Sequence, residues 1–474
     1  MGIAFRLRQL RWGRTASTRI ERFETIHWDT PDFRLAGWDA GLRYRRGRGW
    51  RVTLADWPDG PGFRRVFIDL EGDQAGPPAE ALRLLSPYLR GGGGDLGPVA
   101  RLRHLETGRR AGELWAIHQV VSLLVERRAV AHARRVSLRS HGPLTGIRPV
   151  LAALRKAGVV DTTELPLLAE LAGPEAAPAW REIALERSSS VTQAVTAALR
   201  DYAARLVRNE AIVLEGSDPE GVHQARVACR RYRSALETFA PVLEPAWTAE
   251  LRAELGTLAT DLGAVRDTEV LLMRLRASAA ARGVAGEATE RLLSRLAGER
   301  VLARDVLVSV IESHEHSELL DRLLSAASRP AVLPETADYP APYVLLPLVG
   351  TSWRKLARRA GRIDDHPTDD ELHQLRIATK KCRYAVLALV PLLGDGPART
   401  GARLGTLQDT LGDQHDAVVA GNWLQEAVRR AADPDVAFTA GVLYGVERER
   451  AEAGREAWRE PWAGLDRKKG WGWM

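Results

Sequence analysis

The pattern of apolar and polar positions divides the chain into a first part rich in strands and a helical remainder. Residues 41–54 alternate between apolar and arginine positions on either side of a glycine-containing turn. This pattern predicts a hairpin with one apolar and one arginine-bearing face. The alternation continues in residues 64–71 and 134–141. We therefore predict an antiparallel β domain over roughly the first 140 residues.

A helical period begins near Ile147 and holds through most of residues 188–460. Proline and small residues at 172–180 interrupt it and predict a linker. Turn-forming residues break the later helices near 217–221, 328–342 and 364–370. The middle break separates two helical halves.

We therefore predict a multidomain α+β protein, in which an N-terminal antiparallel β-barrel or tunnel-like domain precedes an all-α domain of two helical bundles. The predicted boundaries are a first domain at 1–170, a linker at 171–187, helical halves at 188–330 and 331–460, and a basic, tryptophan-rich tail at 461–474.

A cationic helix segment occurs twice, about 150 residues apart, as VHQARVACRRYRSALETF at 222–239 and LHQLRIATKKCRYAVLAL at 372–389. In both copies a histidine is followed by basic residues at offsets three, seven, eight and ten. At about 100° per residue, offsets zero, three, seven and ten fall within roughly 80° of one helix face. These basic stripes are His223, Arg226, Arg230 and Arg233 in the first copy and His373, Arg376, Lys380 and Arg383 in the second.

The duplication extends beyond the two basic helices. In the preceding helices, Arg205 and Arg208 align with Lys355 and Arg358. Downstream, TLATDLGAVRDTEV aligns with TLQDTLGDQHDAVV, and both contain Leu-Gly, two further residues, a basic residue or histidine, and then aspartate. A repeat of this size predicts two similar bundles related by approximate twofold symmetry, with the basic helices facing each other.

The charge pattern favours an anionic partner. The formal net charge is +7, and cations stacked on one helix face repel one another. A solvated face is the alternative, but the stripe recurs at matched positions, almost lacks acidic partners and follows a second basic helix each time. Guanidinium groups bind phosphate bidentately, so two stripes suit a flexible chain of phosphates, with binding that weakens in salt.

Other classes of protein are disfavoured by the sequence. No apolar run approaches the length needed to cross a membrane, and the N-terminus lacks the apolar core of a secretion signal. Cys229 and Cys382 stand at matched repeat positions, so we predict that they pack rather than form a disulfide. No metal-ligand spacing is present. We expect a cytoplasmic protein.

The two copies HQARVACRRYRSAL and HQLRIATKKCRYAV, with their Leu-Gly and aspartate segments, closely resemble the CHAD domain over about residues 188–460. The resemblance implies a helical, duplicated domain that binds inorganic polyphosphate. It implies as binding residues His223, Arg226, Arg230, Arg231, Arg233, His373, Arg376, Lys380, Lys381 and Arg383, with Arg205, Arg208, Lys355 and Arg358 as helpers. We predict that Asp267 and Asp416 orient the basic side chains; helix or loop capping is the alternative.

The segment HWDTPDFRLAGWDAGLRYRRGRGWRVTL at 27–54 is similar to the CYTH family of triphosphate tunnel enzymes, over about residues 1–170. That resemblance implies an antiparallel barrel whose basic residues grip triphosphate and whose alternating glutamates hold a divalent metal. This chain departs from the pattern, because FRLRQLRWGR opens it without acids and RRVSLRS carries Arg and Ser at a later strand where acids are expected.

Few acids remain in this first domain to bind a metal. Glu21 and Glu24 have the wrong spacing for one strand face, and Asp69 with Glu71 is the one alternating acidic pair. We therefore expect the domain to be catalytically dead or badly weakened, with candidate anion-binding residues Arg43, Arg45 and Arg51 in its tunnel.

The leading hypothesis is a cytoplasmic protein that binds inorganic polyphosphate, associates with polyphosphate granules and needs no cofactor. One alternative is a metal-dependent triphosphatase that uses Mg²⁺ or Mn²⁺ in the CYTH-like domain. A second alternative is nucleic-acid binding, which is disfavoured because the repeated helices carry few aromatics for base stacking and no groove-reading motif.

Overall fold

The structure, a computed structural model, describes residues 17–56, 64–90, 95–111, 114–125, 128–140, 156 and 183–465. The chain divides into two compact units, Met1–Arg181 and Glu182–Met474. The segment FRLRQLRWGR, all but one residue of the helix predicted from Ile147, the linker at 172–180 and most of the tail lie outside the described residues.

Seven strands form an antiparallel sheet in the first unit: β1 (Ser17–Asp29), β2 (Gly41–Arg45), β3 (Gly49–Asp56), β4 (Arg64–Leu70), β5 (Gly97–Ala111), β6 (Leu114–Val125) and β7 (Arg128–Ser140). Their order is β4-β3-β2-β1-β5-β6-β7. Two short helices, α1 (Arg34–Gly37) and α2 (Ala79–Leu85), and a 3₁₀ turn at Ser86–Leu89 complete it. The predicted antiparallel domain is confirmed, and the sheet is consistent with a CYTH-like tunnel.

The β2–β3 hairpin has the two faces that its alternation predicts. Leu42 and Trp50 are almost fully buried on the apolar face, and Arg43 pairs in register with Arg51 on the other. Gly47 and Gly49 have φ angles of 74° and 77°, a left-handed conformation that glycine adopts without steric cost.

Twelve helices of the second unit are described. They are α3 (Val191–Glu215), α4 (Glu220–Phe239), α5 (Pro245–Ala281), α6 (Glu287–Ile311), α7 (His314–Ser328), α8 (Pro334–Ala337), α9 (Ala341–Ala360), α10 (Asp369–Leu387), α11 (Val390–Leu393), α12 (Asp395–Arg430), α13 (Pro434–Ala457) and α14 (Arg459–Ala463), with a 3₁₀ turn at Ala240–Val242. The three predicted breaks coincide with ends of the long helices, and the middle one contains the short helix α8. None of the described helices has the length and apolarity of a membrane span.

The two halves of this unit are related by approximate twofold symmetry, as the repeat predicts. The Val191 amide donates to the Tyr339 carbonyl at 2.9 Å, and the Ala341 amide donates to the Ser189 carbonyl at 2.8 Å. Residues 341 and 339 stand 150 positions after 191 and 189, so exchanging the halves converts one bond into the other. The symmetry axis therefore passes between the starts of α3 and α9.

The apolar core continues from one half to the other. A single buried cluster contains Leu275 of α5 and Leu293 of α6 together with Leu424 of α12 and Leu443 of α13. Full burial of one leucine contributes roughly 1.5–3 kcal/mol, so the halves are held together mainly by packing. Cys229 and Cys382 are buried and unbonded, as predicted. Burial raises the pKa of both thiols to about 12.

Candidate anion-binding site

The basic helices α4 and α10 contact each other. Helix α10 begins with a capping box in which the side chains of Thr368 and Glu371 accept hydrogen bonds from each other's backbone amides. The acidic residues of this first turn interact favourably with the helix dipole. In α4 the apolar face, with Cys229 and Tyr232, is fully buried. The two basic stripes are left half-buried on the other side.

Four stripe arginines lie over glycines of the long helices α5 and α12. The pairs are Arg233 with Gly256, Arg226 with Gly263, Arg383 with Gly405, and Arg376 with Gly412. An added Cβ would stand 3.6 Å from the Arg226 guanidinium and 3.3 Å from that of Arg383. A Cβ would crowd Arg383 at Gly405 and make ordinary van der Waals contact at the other three positions, so glycine lets these arginines lie close against α5 and α12.

Burial determines which nitrogen atoms of these four arginines can bind a ligand. The Nε atoms of all four arginines are buried without a hydrogen-bond partner. The terminal guanidinium nitrogens therefore remain as the donors for an anion.

A central cavity of about 340 Å³ collects basic side chains from both halves. Helices α4, α5, α10 and α12 supply its walls. Its polar lining consists of His223, Arg226, Arg230, Arg266, Asp267, Arg274, Arg376, His415 and Asp416. Seven of these nine side chains are arginine or histidine, so the cavity suits an anion.

The matched aspartates Asp267 and Asp416 behave differently. Asp267 accepts two hydrogen bonds from Arg226, at 2.5 and 3.2 Å, as predicted. The pairing expected for Asp416 is wrong, since among the described residues it forms no ion pair within 4.0 Å. Burial raises the Asp416 pKa, and Arg376 and Arg274 oppose this rise. The second half therefore leaves Arg376 less neutralised than its twin Arg226.

Lys380 lies among three guanidinium groups. Burial, and then repulsion by Arg230, Arg376 and Arg226, lowers its pKa to about 7, while Asp267 opposes the shift. Burial and then Arg226 likewise lower the pKa of Arg230. Four cations thus converge where a bound anion would relieve both the desolvation and the repulsion.

Two histidines meet beside this cluster. His373 Nδ1 lies 3.2 Å from His415 Nδ1, so one of the two nitrogens must carry the hydrogen. Burial, followed by Arg376 and His373, lowers the His415 pKa to about 4. The sequence reading overlooked His415 and its counterpart Arg266, although both occupy the basic-or-histidine position of the Leu-Gly motif. Arg274 lies outside the Leu-Gly motif, and no sequence pattern identifies it as a site residue.

The other predicted binding residues lie away from the central cavity. Lys381 is exposed and pairs with Glu237 at 2.7 Å, and Lys355 and Arg358 are exposed on α9. Three more predicted residues lie on or beside α3. Arg205 is bound to Asp201, Arg208 is 8% exposed, and Arg231 is half-buried near Tyr202. The predicted set is therefore divided among several surfaces.

In the first unit, acids neutralise two of the three tunnel arginines. Arg51 donates to both carboxylate oxygens of Asp69, at 2.6 and 2.7 Å, and Arg45 forms an ion pair with Glu21. Burial and then Arg51 lower the pKa of Arg43 to about 10. Glu71 follows the end of β4 and is exposed.

Sequence reasoning also missed the polar cluster beside Arg43. The Thr25 hydroxyl lies 3.1 Å from His27 Nε2 and 2.7 Å from His104 Nε2. Burial and then Arg43 lower the pKa of both histidines to about 3. Glu106 binds Gln119 at 2.6 Å.

A divalent metal does not fit these residues. Glu21 and Asp69 are already paired with arginine, and the described part of the chain contains no group of three or more His, Cys, Asp or Glu able to hold a metal ion. We therefore derive no metal-assisted step for the first unit.

The second unit is thus a duplicated helical domain with a basic centre. The family model described as CHAD domain matches residues 197–425, and these residues form a CHAD domain. The crystal structure of the CHAD domain from the plant Ricinus communis is similar, with 29% identity, a TM-score of 0.50, and coverage of 60% of this chain and 94% of that one.

Two further similarities are informative. PptA from Streptomyces chartreusis has the same fold, with 24% identity, a TM-score of 0.50, and coverage of 58% of this chain and 100% of that one. The "Uncharacterized protein Rv2226" of Mycobacterium tuberculosis is 27% identical over 485 aligned residues, which cover 94% of this chain and 90% of the relative. That similarity therefore includes the first unit.

Proposed function

We propose that this protein binds inorganic polyphosphate in the central cavity. The observation that carries the proposal is the convergence of Arg226, Arg230, Arg376 and Lys380 from both halves, where Asp267 is paired with Arg226. CHAD domains bind polyphosphate-related ligands, which supports the same ligand class.

The chemistry of the ligand matches the arrangement of the site. A phosphate chain repeats one anionic unit, and the stripes present donors at regular intervals along two adjacent helices. Guanidinium groups bind phosphate oxygens in pairs, so binding requires neither a metal nor a cofactor. Such a protein would be retained wherever polyphosphate accumulates, including granules.

The test is retention of long-chain polyphosphate by the full chain at about 0.15 M salt. The double variant Arg226→Glu/Arg376→Glu places negative charge at matched positions of both stripes. We expect its affinity to fall at least about 100-fold, because each reversal removes a charge-assisted contact and adds repulsion.

A matched control is the variant Arg399→Glu/Arg429→Glu. It changes the net charge equally at side chains that are 73% and 64% exposed outside the cavity, and we expect little loss of retention. Equal losses in the two variants would contradict the proposal. Stronger retention of DNA than of polyphosphate at the same salt would instead favour nucleic-acid binding, and phosphate release from tripolyphosphate with Mg²⁺ or Mn²⁺ would favour the enzymatic alternative.

A further inference from the structure

A second basic cavity, here called the lateral groove, lies between α9, α10 and the C-terminal end of α4. Its volume is about 710 Å³, and its cationic lining consists of Lys355, Arg358, Arg359, Arg362 and Lys381. The lateral groove and the central cavity have no lining residue in common. Lys380 and Lys381 are adjacent in sequence but lie on different faces of α10, so the groove is a separate surface.

The acids of the lateral groove are already occupied. Glu237 is paired with Lys381 at 2.7 Å, and Glu371 caps α10 through Thr368. Within the described part of the chain, the other four cations of the groove, Lys355, Arg358, Arg359 and Arg362, form no ion pair within 4.0 Å. Five cationic and two acidic side chains line the groove, so its net charge is about +3.

These four cations form a compact row. Lys355, Arg358 and Arg359 share one face of α9, at offsets zero, three and four, and Arg362 follows in the turn after the helix ends. The hydroxyls of Thr351 and Ser352 line the same groove. The Thr351 hydroxyl already donates to the Pro347 carbonyl at 3.0 Å, so the donors this wall offers to a short row of phosphate groups are its cations and the Ser352 hydroxyl.

The matched helix of the first half lacks this arrangement. At the repeat offset, Asp201 replaces Thr351, Asn209 replaces Arg359 and Ile212 replaces Arg362. The Arg205 side chain, which corresponds to Lys355, is bound to Asp201 at 2.9 Å. Among the described residues, the central stripes thus occur in both halves, whereas the row of unpaired cations occurs on α9 and the turn after it but not on the matched helix α3.

We propose that the lateral groove is a second anion site that binds a triphosphate group. A triphosphate carries several negative charges near neutral pH, which the positive net charge of the groove would attract. Apolar Ile363 and Ile377 also line the groove, so an organic group attached to the phosphates would find a surface to pack against. The inference takes only its class of ligand, condensed phosphate, from the proposed function.

Two lysines allow the two sites to be tested separately in the full chain. Acetylation of Lys355, measured by mass spectrometry, reports the lateral groove, and acetylation of Lys380 reports the central cavity. We expect tripolyphosphate at about ten times its Kd to slow Lys355 acetylation about tenfold. The variant Arg358→Glu/Arg362→Glu, altered at exposed positions, should lose this protection. The variant Arg226→Glu/Arg376→Glu should keep it.

The outcomes distinguish this inference from the proposed function. If Lys355 is protected from acetylation while Lys380 is not, the result supports binding in the lateral groove even though it does not support binding in the central cavity. ATP and tripolyphosphate are tested in parallel: equal protection identifies the triphosphate group itself as the ligand, and stronger protection by ATP identifies a nucleotide. Equal protection by orthophosphate or sulfate, protection that persists in Arg358→Glu/Arg362→Glu, or absence of protection would overturn the inference.

Discussion

The charge of Lys380 is set by its neighbours. Burial, Arg230, Arg376 and Arg226 lower its pKa to about 7, so the free protein holds a partly neutral lysine at physiological pH. A bound phosphate chain favours the charged form, so binding takes up a proton above pH 7. We expect the affinity for polyphosphate to fall as pH rises from 7 toward about 10, the ordinary lysine pKa. Titration calorimetry at several pH values would measure this change.

The matched control for this prediction is Lys380→Arg, because arginine stays charged throughout that range. Its affinity should vary less with pH than that of the wild type. The same lowered pKa means that the unfolded chain binds more protons than the folded chain between pH 7 and about 10. The contribution of Lys380 to the free energy of unfolding therefore rises with pH across this window. Identical pH profiles for the two proteins would show that Lys380 does not titrate as described.

At single positions, the sequence predicted which side of a helix carries the basic side chains better than which of these side chains meet in space. The basic stripes were correct because helical periodicity is a local property. Adjacent residues on a helix differ by about 100°, so Lys380 and Lys381 had to face different neighbours, but the identity of those neighbours depends on tertiary packing. For the same reason Asp416 was expected to pair like Asp267 and does not.

At the scale of helices and strands, patterns within one element were more informative than contacts between elements. The β2–β3 hairpin and the helical breaks follow from alternation and turn residues. The contact between Gly263 and Arg226 could not be deduced from the Leu-Gly motif, since it requires α4 and α5 to be placed side by side. The ion pair between Glu21 of β1 and Arg45 of β2 likewise depends on strand pairing.

A buried ionic network joins α5 of the first half to α13 of the second. The Glu447 carboxylate is fully buried and accepts hydrogen bonds from Arg274 at 2.5 Å, Ser278 at 2.7 Å and Arg450 at 2.7 Å. Arg274 would keep its second partner, Asp413, at 2.6 Å. We therefore expect Glu447→Leu to lower the free energy of unfolding by about 1–3 kcal/mol, because it removes the acceptor that Arg274 and Ser278 share. Urea unfolding would measure the loss, and Glu447→Gln should lose less.

The comparison for this network is Glu449→Leu on the same helix. Glu449 pairs with Arg282 at 3.1 Å but is 75% exposed, and exposed pairs contribute little to stability. We expect a change near zero. Similar losses for Glu447→Leu and Glu449→Leu would mean that helix α13 tolerates leucine poorly and that the network does not hold the halves together.

The two units differ in how their described basic residues are paired with acidic residues. In the first unit Arg51 is paired with Asp69 and Arg45 with Glu21, so the charges of these two arginines are neutralised. In the CHAD domain, duplication brings stripes of like charge together with few acids between them. Among the described residues, the cations of the second unit that lack acidic partners are therefore grouped by position, at the stripes and in the lateral groove.

If both halves bind one phosphate chain, cations at equivalent positions of the two stripes should contribute equally to the salt dependence of binding. Arg230 and Lys380 occupy the same stripe position in the two copies. Each of Arg230→Gln and Lys380→Gln should reduce the slope of log affinity against log salt by about one, and the double variant by about two. Measurements at pH 6 keep Lys380 protonated. A change in slope for one variant alone would mean that a single half binds the chain, so that the symmetry would be a feature of the fold without a role in recognition.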